Sequence, residues 1–178
     1  MFIFLGLGSN LGDRRHYLTE AVGMIEGCIG EITAQSSIIE TEPWGYESAN
    51  SYLNSAVLVH TSLEPQQVLP QTQSIEKSLG RTNKTTITNG TPEYSDRPID
   101  IDLLMSFTDK VFHSTLAEIR SGLMPGTDLL LPDFPQDVIK HLIRNSEHIQ
   151  TPSLILPHPH ILQRDFVMQP ILDILQQL

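Results

Sequence analysis

Asp100 and Asp102 stand two apart in the stretch RPIDIDLLM, residues 97–105. On an extended strand, residues i and i+2 project from one face, so the two carboxylates emerge side by side. Ile99, Ile101, Leu103 and Met105 take the other, packed face in this reading. Carboxylates that close repel each other unless a cation sits between them. Hard oxygen ligands of this kind suit Mg²⁺, which binds one or two carboxylates and fills its shell with substrate phosphates. The plain alternative is a solvated strand face with two unrelated charges. Basic residues shift the weight. Of eleven Lys and Arg, Lys77, Arg81, Lys84 and Arg97 bracket the polar stretch before the pair, and Arg164 follows near the C-terminus. Guanidinium groups grip phosphate oxygens with two parallel hydrogen bonds. Carboxylates for Mg²⁺ together with arginines for phosphates are the parts that phosphoryl transfer needs.

Other residues suggest a second, flatter ligand. Asn54 lies in an apolar run, and a buried amide needs partners. An amide is suited to reading the donor and acceptor edge of a heterocycle. Trp44, Tyr52 and Phe166 are the aromatics to watch, although each alone reads first as core. His158 and His160 occupy a proline-rigid turn, PHPH, with no further soft ligands nearby for zinc. GLGSNLGDR, residues 6–14, lacks the Gly-Lys-Ser/Thr of a Walker loop. It does look like a dinucleotide-binding turn, with Glu40 at the end of the next strand, and that reading competes.

The elements must hold these groups in place. Phe2 to Leu7 reads as a buried strand, and 13–26 as a helix with Asp13 at its start. Glu31 to Thr41 and Tyr52 to His60 read as strands. Glu64 to Leu79 reads as a helix, with Pro65 in its first turn, Gly80 at its end and a bend expected near Pro70. Residues 82–96 are polar and read as a long, mobile loop, and 97–105 as the next strand. The order β-α-β-β-α-β predicts an α+β fold of the split βαβ kind, an antiparallel sheet with helices on one face. Residues 107–153 read as an insertion with one amphipathic helix, 135–145.

The 178 residues suffice for one domain with a sizeable core. A net charge of −10 argues against nucleic acid or an anionic membrane as partner, but not against a small anion held by local arginines. One cysteine, Cys28, fits a reducing cytoplasm. The apolar run at Phe2 to Leu5 is too short for a signal peptide, and no run reaches the length of a membrane span.

Several collinear blocks together resemble the 6-hydroxymethyl-7,8-dihydropterin pyrophosphokinase family. They are LGLGSNLGDR, ETEPWG, YLNSAV, TSLEP, TQSIEKSLGR, DRPIDIDLL and LPHPHILQRDFVMQPILDI. The resemblance implies a ferredoxin-like sandwich forming a single domain over residues 1–178. It implies ATP as co-substrate, two Mg²⁺ ions and a monomeric cytoplasmic enzyme. The activity implied is transfer of pyrophosphate from ATP to the pterin hydroxymethyl group in folate synthesis, with release of AMP. Carried over, Asp100 and Asp102 hold the metals, and Arg81 and Arg97 are catalytic. Gln73, Glu76, Lys84, His158 and Arg164 contact the nucleotide. Thr41, Pro43, Trp44, Gly45, Tyr52, Asn54 and Phe166 form the pterin pocket. The opening glycine stretch then becomes a structural turn. The family carries a basic residue at the position of Asn83 and an Arg and a Thr at those of Ser153 and Ile155. The missing basic residues and the long 107–153 segment motivate a second reading as a pterin- or nucleotide-binding paralogue without turnover. A dinucleotide-dependent oxidoreductase is the third.

Overall fold

β1 (Phe2–Ser9) is buried along almost its whole length, and a strand apolar on both faces needs cover on both. In the computed structural model it therefore lies inside the sheet, antiparallel to β4 (Tyr52–His60) on one side and to β7 (Asp100–Phe107) on the other. The residues described are 1–82, 86–88, 91–93, 95–122 and 135–178. The strand order is β2-β4-β1-β7, with β2 (Glu31–Gln35) and β3 (Ile39–Thr41) sharing the far edge of β4. The single strand expected over 31–41 is broken at Ser36. There the backbone N–H donates to the Ala56 carbonyl and the hydroxyl accepts from the Ala56 N–H, both at 2.9 Å. A side chain thus takes a place in the ladder.

Helix α1 (Arg14–Cys28) starts at Asp13, whose carboxylate accepts from the His16 N–H at 3.1 Å. Helix α2 (Pro65–Ser78) starts at a capping box of Glu64 and Gln67 and runs on through Pro70. Leu18, Ala21 and Ile25 of α1 and Val68 and Ile75 of α2 pack on Ile3, Leu5, Leu7, Val57, Val59, Ile101 and Leu103. These elements make the split βαβ sandwich expected from the sequence.

The expectation of helices on one face holds for that pair only. The other face of the sheet carries Phe2, Phe4, Leu58, Leu104, Met105 and Phe107, and it too is covered. The cover is α3 (Asp109–Ser121), α4 (Pro135–Asn145) and α5 (Asp165–Gln177), through Phe112, Leu116, Ile139, Leu142, Val167, Ile171 and Ile174. Helices α3 and α4 therefore belong to a structural layer of the core. Helix α4 has the bounds read from the sequence, and α3 was not foreseen although Thr108 caps its start and Gly122, at φ 67°, its end.

β7 feeds both cores because of a β-bulge. Leu5 pairs with Leu103 but Phe4 with Met105, so Leu104 is the extra residue. Beyond it the alternation is reset. Met105, expected beside Ile101 and Leu103, lies instead in the opposite core with Leu104 and Phe107.

The stretch 82–96, expected as a loop, contains a short hairpin, β5 (Thr86–Thr88) with β6 (Thr91–Glu93). Residues 83–85, 89–90, 94 and 123–134 lie outside the described residues, and with them Lys84 and Asn83. A second small hairpin joins β8 (Ile149–Gln150) to β9 (Ile155–Leu156) ahead of the turn at 157–160. Among the described residues no helix is long and apolar enough to cross a membrane.

Candidate active site

Residues that face each other across paired strands share one side of the sheet. Two rows cross the three central strands this way, Asn54–Gly8–Asp100 and Ala56–Gly6–Asp102. Each row has a polar or small residue on β4, a glycine in the middle and a carboxylate on β7. With no side chains at its centre, the sheet forms the floor of a cavity that opens to solvent. Gly6 and Gly8 are thus floor residues inside β1, and the turn proper comes at Gly12, with φ 70°.

The walls are aromatic and cationic. Thr41, Trp44, Tyr46 and Tyr52 line one side, and Arg164, Phe166, Val167 and Pro170 the other. Asn54 is buried, and its Nδ2 donates to Thr41 Oγ1 at 2.8 Å, which fixes the amide plane. The Arg164 guanidinium lies 4.4 Å from the centroid of Trp44 and 5.8 Å from that of Phe166. Among the described residues, its Nε is buried without a hydrogen-bond partner.

At the β7 end of the floor, charges interlock. Arg97 Nη1 donates to Asp100 Oδ2 at 3.1 Å, and Arg81 Nη1 donates to both Asp100 Oδ1 and Glu76. Glu76 also accepts from the Ile101 N–H at 2.7 Å, so α2, Arg81 and β7 are tied together through one carboxylate. Burial, then Asp100, push the Glu76 carboxyl above its ordinary range against the pull of Arg81. Asp102 is pushed up to about 7, by burial first and then by Asp100 beside it. His158 is pushed down to about 4, by burial and then by Arg164, and is neutral at pH 7. Its backbone N–H is fixed to the Leu104 carbonyl at 2.8 Å.

Among the described residues no group of three or more His, Cys, Asp or Glu is placed to cage a metal ion. Two neighbouring carboxylates without further protein ligands are the donor set of a Mg²⁺ site completed by phosphate and water. The cost of ionising Asp102 here is what a bound divalent cation would remove.

The structure brings Thr41, Trp44, Tyr52, Asn54, Arg97, Asp100, Asp102, Arg164 and Phe166 to one cavity. Arg81 reaches the same carboxylate from the end of α2. Gln73 is exposed on α2 and Glu76 is engaged with Arg81, and neither lines the cavity wall. Pro43 and Gly45 flank Trp44 on the connection that forms the wall, without lining it themselves. His158 does not line the cavity, and its ring is 5.7 Å from that of His160. Sequence reasoning missed Gly6, Gly8 and Tyr46. The signal for the glycines was there, since alternate residues of a strand face one way.

A ferredoxin-like sandwich with an aromatic cleft over its sheet and a carboxylate–arginine cluster on its last core strand defines the class. The chain belongs to the 7,8-dihydro-6-hydroxymethylpterin-pyrophosphokinase family, whose model matches residues 4–176. A 2-amino-4-hydroxy-6-hydroxymethyldihydropteridine pyrophosphokinase of Porphyromonas gingivalis is 38% identical over 172 residues, covering 97% of this chain and 89% of the relative. The Bacillus subtilis protein of the same name is 33% identical over 175 residues, covering 98% and 78%. Among solved structures, wild-type HPPK-DHPS of Plasmodium falciparum shares the fold, with a TM-score of 0.57 at 14% identity over 98% of this chain and 41% of that one. The antiparallel sheet and the family membership exclude the oxidoreductase reading of the glycine stretch.

Proposed function

We infer that this protein transfers the pyrophosphoryl group of ATP to the hydroxymethyl group of 6-hydroxymethyl-7,8-dihydropterin and releases AMP, a step of folate synthesis. The observation that carries the reading is the pair of rows Asn54–Gly8–Asp100 and Ala56–Gly6–Asp102. They put an amide suited to a heterocycle and a carboxylate pair suited to Mg²⁺-phosphate on one floor. In the transfer, the pterin hydroxyl oxygen bonds to the β-phosphorus and that phosphorus loses its bridge oxygen to AMP. The hydroxyl proton is released.

Asp100 and Asp102 are the residues for two Mg²⁺ ions. When bound, these lower the charge on the phosphates and acidify the attacking hydroxyl. Arg97 and Arg81 flank the carboxylates and stabilise charge on the transferred group, with Lys84 a further cation for the triphosphate. Glu76 holds Arg81 at its post, and Gln73, one turn earlier on α2, faces the nucleotide. His158, neutral, offers the adenosine a hydrogen-bonding ring. Arg164 must leave Trp44 to reach a phosphate. The pterin ring lies between Tyr52 and Phe166, under the Thr41–Gly45 segment, with its edge read by Asn54. One chain of residues 1–178 supplies every group, which goes with a monomer, and the single cysteine goes with the cytoplasm.

Purified protein with Mg²⁺, ATP and the dihydropterin should yield AMP only when the pterin is present, and no ADP. Absence of AMP refutes turnover. Saturable pterin binding without AMP would establish the paralogue reading.

A further inference from the structure

Ten residues, 42–51, join β3 to β4 without regular structure, yet they supply Trp44 and Tyr46 to the cavity wall. Asp96 holds them. Its carboxylate accepts from Ser48 Oγ at 2.7 Å, from the Tyr46 hydroxyl at 3.1 Å, from Asn10 Nδ2 at 2.7 Å and from Asn50 Nδ2. Asn10 is buried and works on both sides. Its Oδ1 accepts from the Arg97 N–H at 2.8 Å, while its Nδ2 also reaches the Tyr46 hydroxyl at 3.0 Å. The Tyr46 hydroxyl in turn pairs with that of Tyr52 at 2.9 Å. One carboxylate, on the residue before Arg97, thus gathers the wall segment and Asn10, which follows β1. The four hydrogen bonds hold Asp96 below the usual carboxylate range although burial acts the other way.

We propose that Asp96 is a positioning residue for the dihydropterin pocket: it clasps segment 42–51 onto the start of the Arg97 segment and thereby sets the Tyr46–Tyr52 wall before substrate arrives. The inference rests on the pyrophosphokinase reading for the identity of the ligand, not for the clasp itself. Arg97 keeps its own backbone hold on Asn10 and its pairing with Asp100. The clasp touches Arg97 as well, through Asn10 and through the Tyr52 side chain that hydrogen-bonds it, but Asp100 holds the guanidinium independently, so the larger effect falls on the pterin side.

Trp44 is the chain's single tryptophan and lies within the clasped segment, so its emission reads the clasp without any ligand. In Asp96→Ala, quenching of Trp44 by acrylamide should rise at least twofold. The Kd for the dihydropterin, measured without ATP, should rise tenfold or more, while the KM for MgATP stays within twofold. Tyr46→Phe, which removes only the hydroxyl linking Asp96 to Tyr52, should weaken pterin binding at least threefold, and it carries the test if Asp96→Ala does not fold. Its loss should not add to that of Asp96→Ala in the double variant. Unchanged quenching in folded Asp96→Ala, or pterin Kd values within twofold of wild type in both variants, overturns the proposal. Wild-type protein that binds no pterin overturns the functional reading instead, and the quenching comparison still decides the clasp.

Discussion

Gly8→Ala adds one methyl group to the floor of the cavity, and its effect follows from the structure. Gly8 does not have a positive φ, so the backbone accepts alanine. The new Cβ would stand 3.0 Å from Asn54 Oδ1 and 3.5 Å from Tyr52 Cδ1. The second distance is ordinary contact, and the first forces the amide to retreat by some tenths of an ångström. Asn54 is held by its 2.8 Å bond to Thr41, so it moves only by leaving its rotamer or stretching that bond. An off-rotamer side chain costs about 0.5–1.5 kcal/mol, and a compromised hydrogen bond about as much again. A loss of about 1–3 kcal/mol is a roughly 5–150-fold rise in the Kd for dihydropterin. Stability falls slightly or stays unchanged, because the strain at Asn54 in the free protein offsets the about 0.4–1 kcal/mol gained by reducing the freedom of the unfolded chain. Titration of the pterin's own fluorescence gives the Kd, and thermal unfolding gives the stability. The reasoning fails if the variant binds pterin as tightly as wild type, or if the KM for ATP rises as much as that for pterin.

Asp102→Ala should leave the fold intact and lower kcat by about 10²–10³ or more, and substantial activity at saturating Mg²⁺ would remove Asp102 from its role. In metal-free protein, Asp102 titrates near pH 7 when folded and near 3.9 when unfolded. Between those values the folded state binds the extra proton, so its contribution to stability falls as pH rises. The stability of wild type relative to Asp102→Asn should therefore decline from pH 4.5 to 7.5 and recover on adding Mg²⁺, and a flat difference in urea unfolding contradicts the assignment. Leu142→Ala, in the inserted helix α4, should cost about 2–5 kcal/mol in the same assay, since Leu142 is fully buried against the sheet; a cost under about 1 kcal/mol would mean the inserted layer is not part of the core.

The cavity face of β7 could be read directly, because Asp100 and Asp102 and their apolar neighbours up to Leu103 alternate with a period of two. The same rule failed at Met105, where the bulge at Leu104 resets the period. Nothing within β7 announces the bulge, because it arises from the register against β1. Helix α4 was legible because Val138, Ile139, Leu142 and Ile143 fall on one side. Helix α3 was overlooked, although Phe112, Leu116 and Ile119 fall at helical spacing and its caps were in plain sight. The cover on both faces of the sheet was latent in β1, which is apolar on both sides. The cavity floor is a property of three strands at once, so Gly6 and Gly8 looked like a turn when taken alone. The Asp96 clasp joins positions 86 apart in the chain, and no local pattern encodes such a pairing.

The two rows across the sheet also act as a ruler. Neighbouring strands lie about 4.8 Å apart, so Asn54 and Asp100, two strands from each other, are separated by about 10 Å of rigid ladder. On the proposed function, a two-ring heterocycle with a one-carbon arm would span that interval, with its edge at the amide and its hydroxyl at the carboxylates. Lengthening the arm by one carbon displaces the hydroxyl by about 1.5 Å, and the ladder cannot stretch to follow it. Side chains around the cleft can adapt to the outline of a ligand. Its length, however, is measured by backbone hydrogen bonds that no substitution in the wall can change.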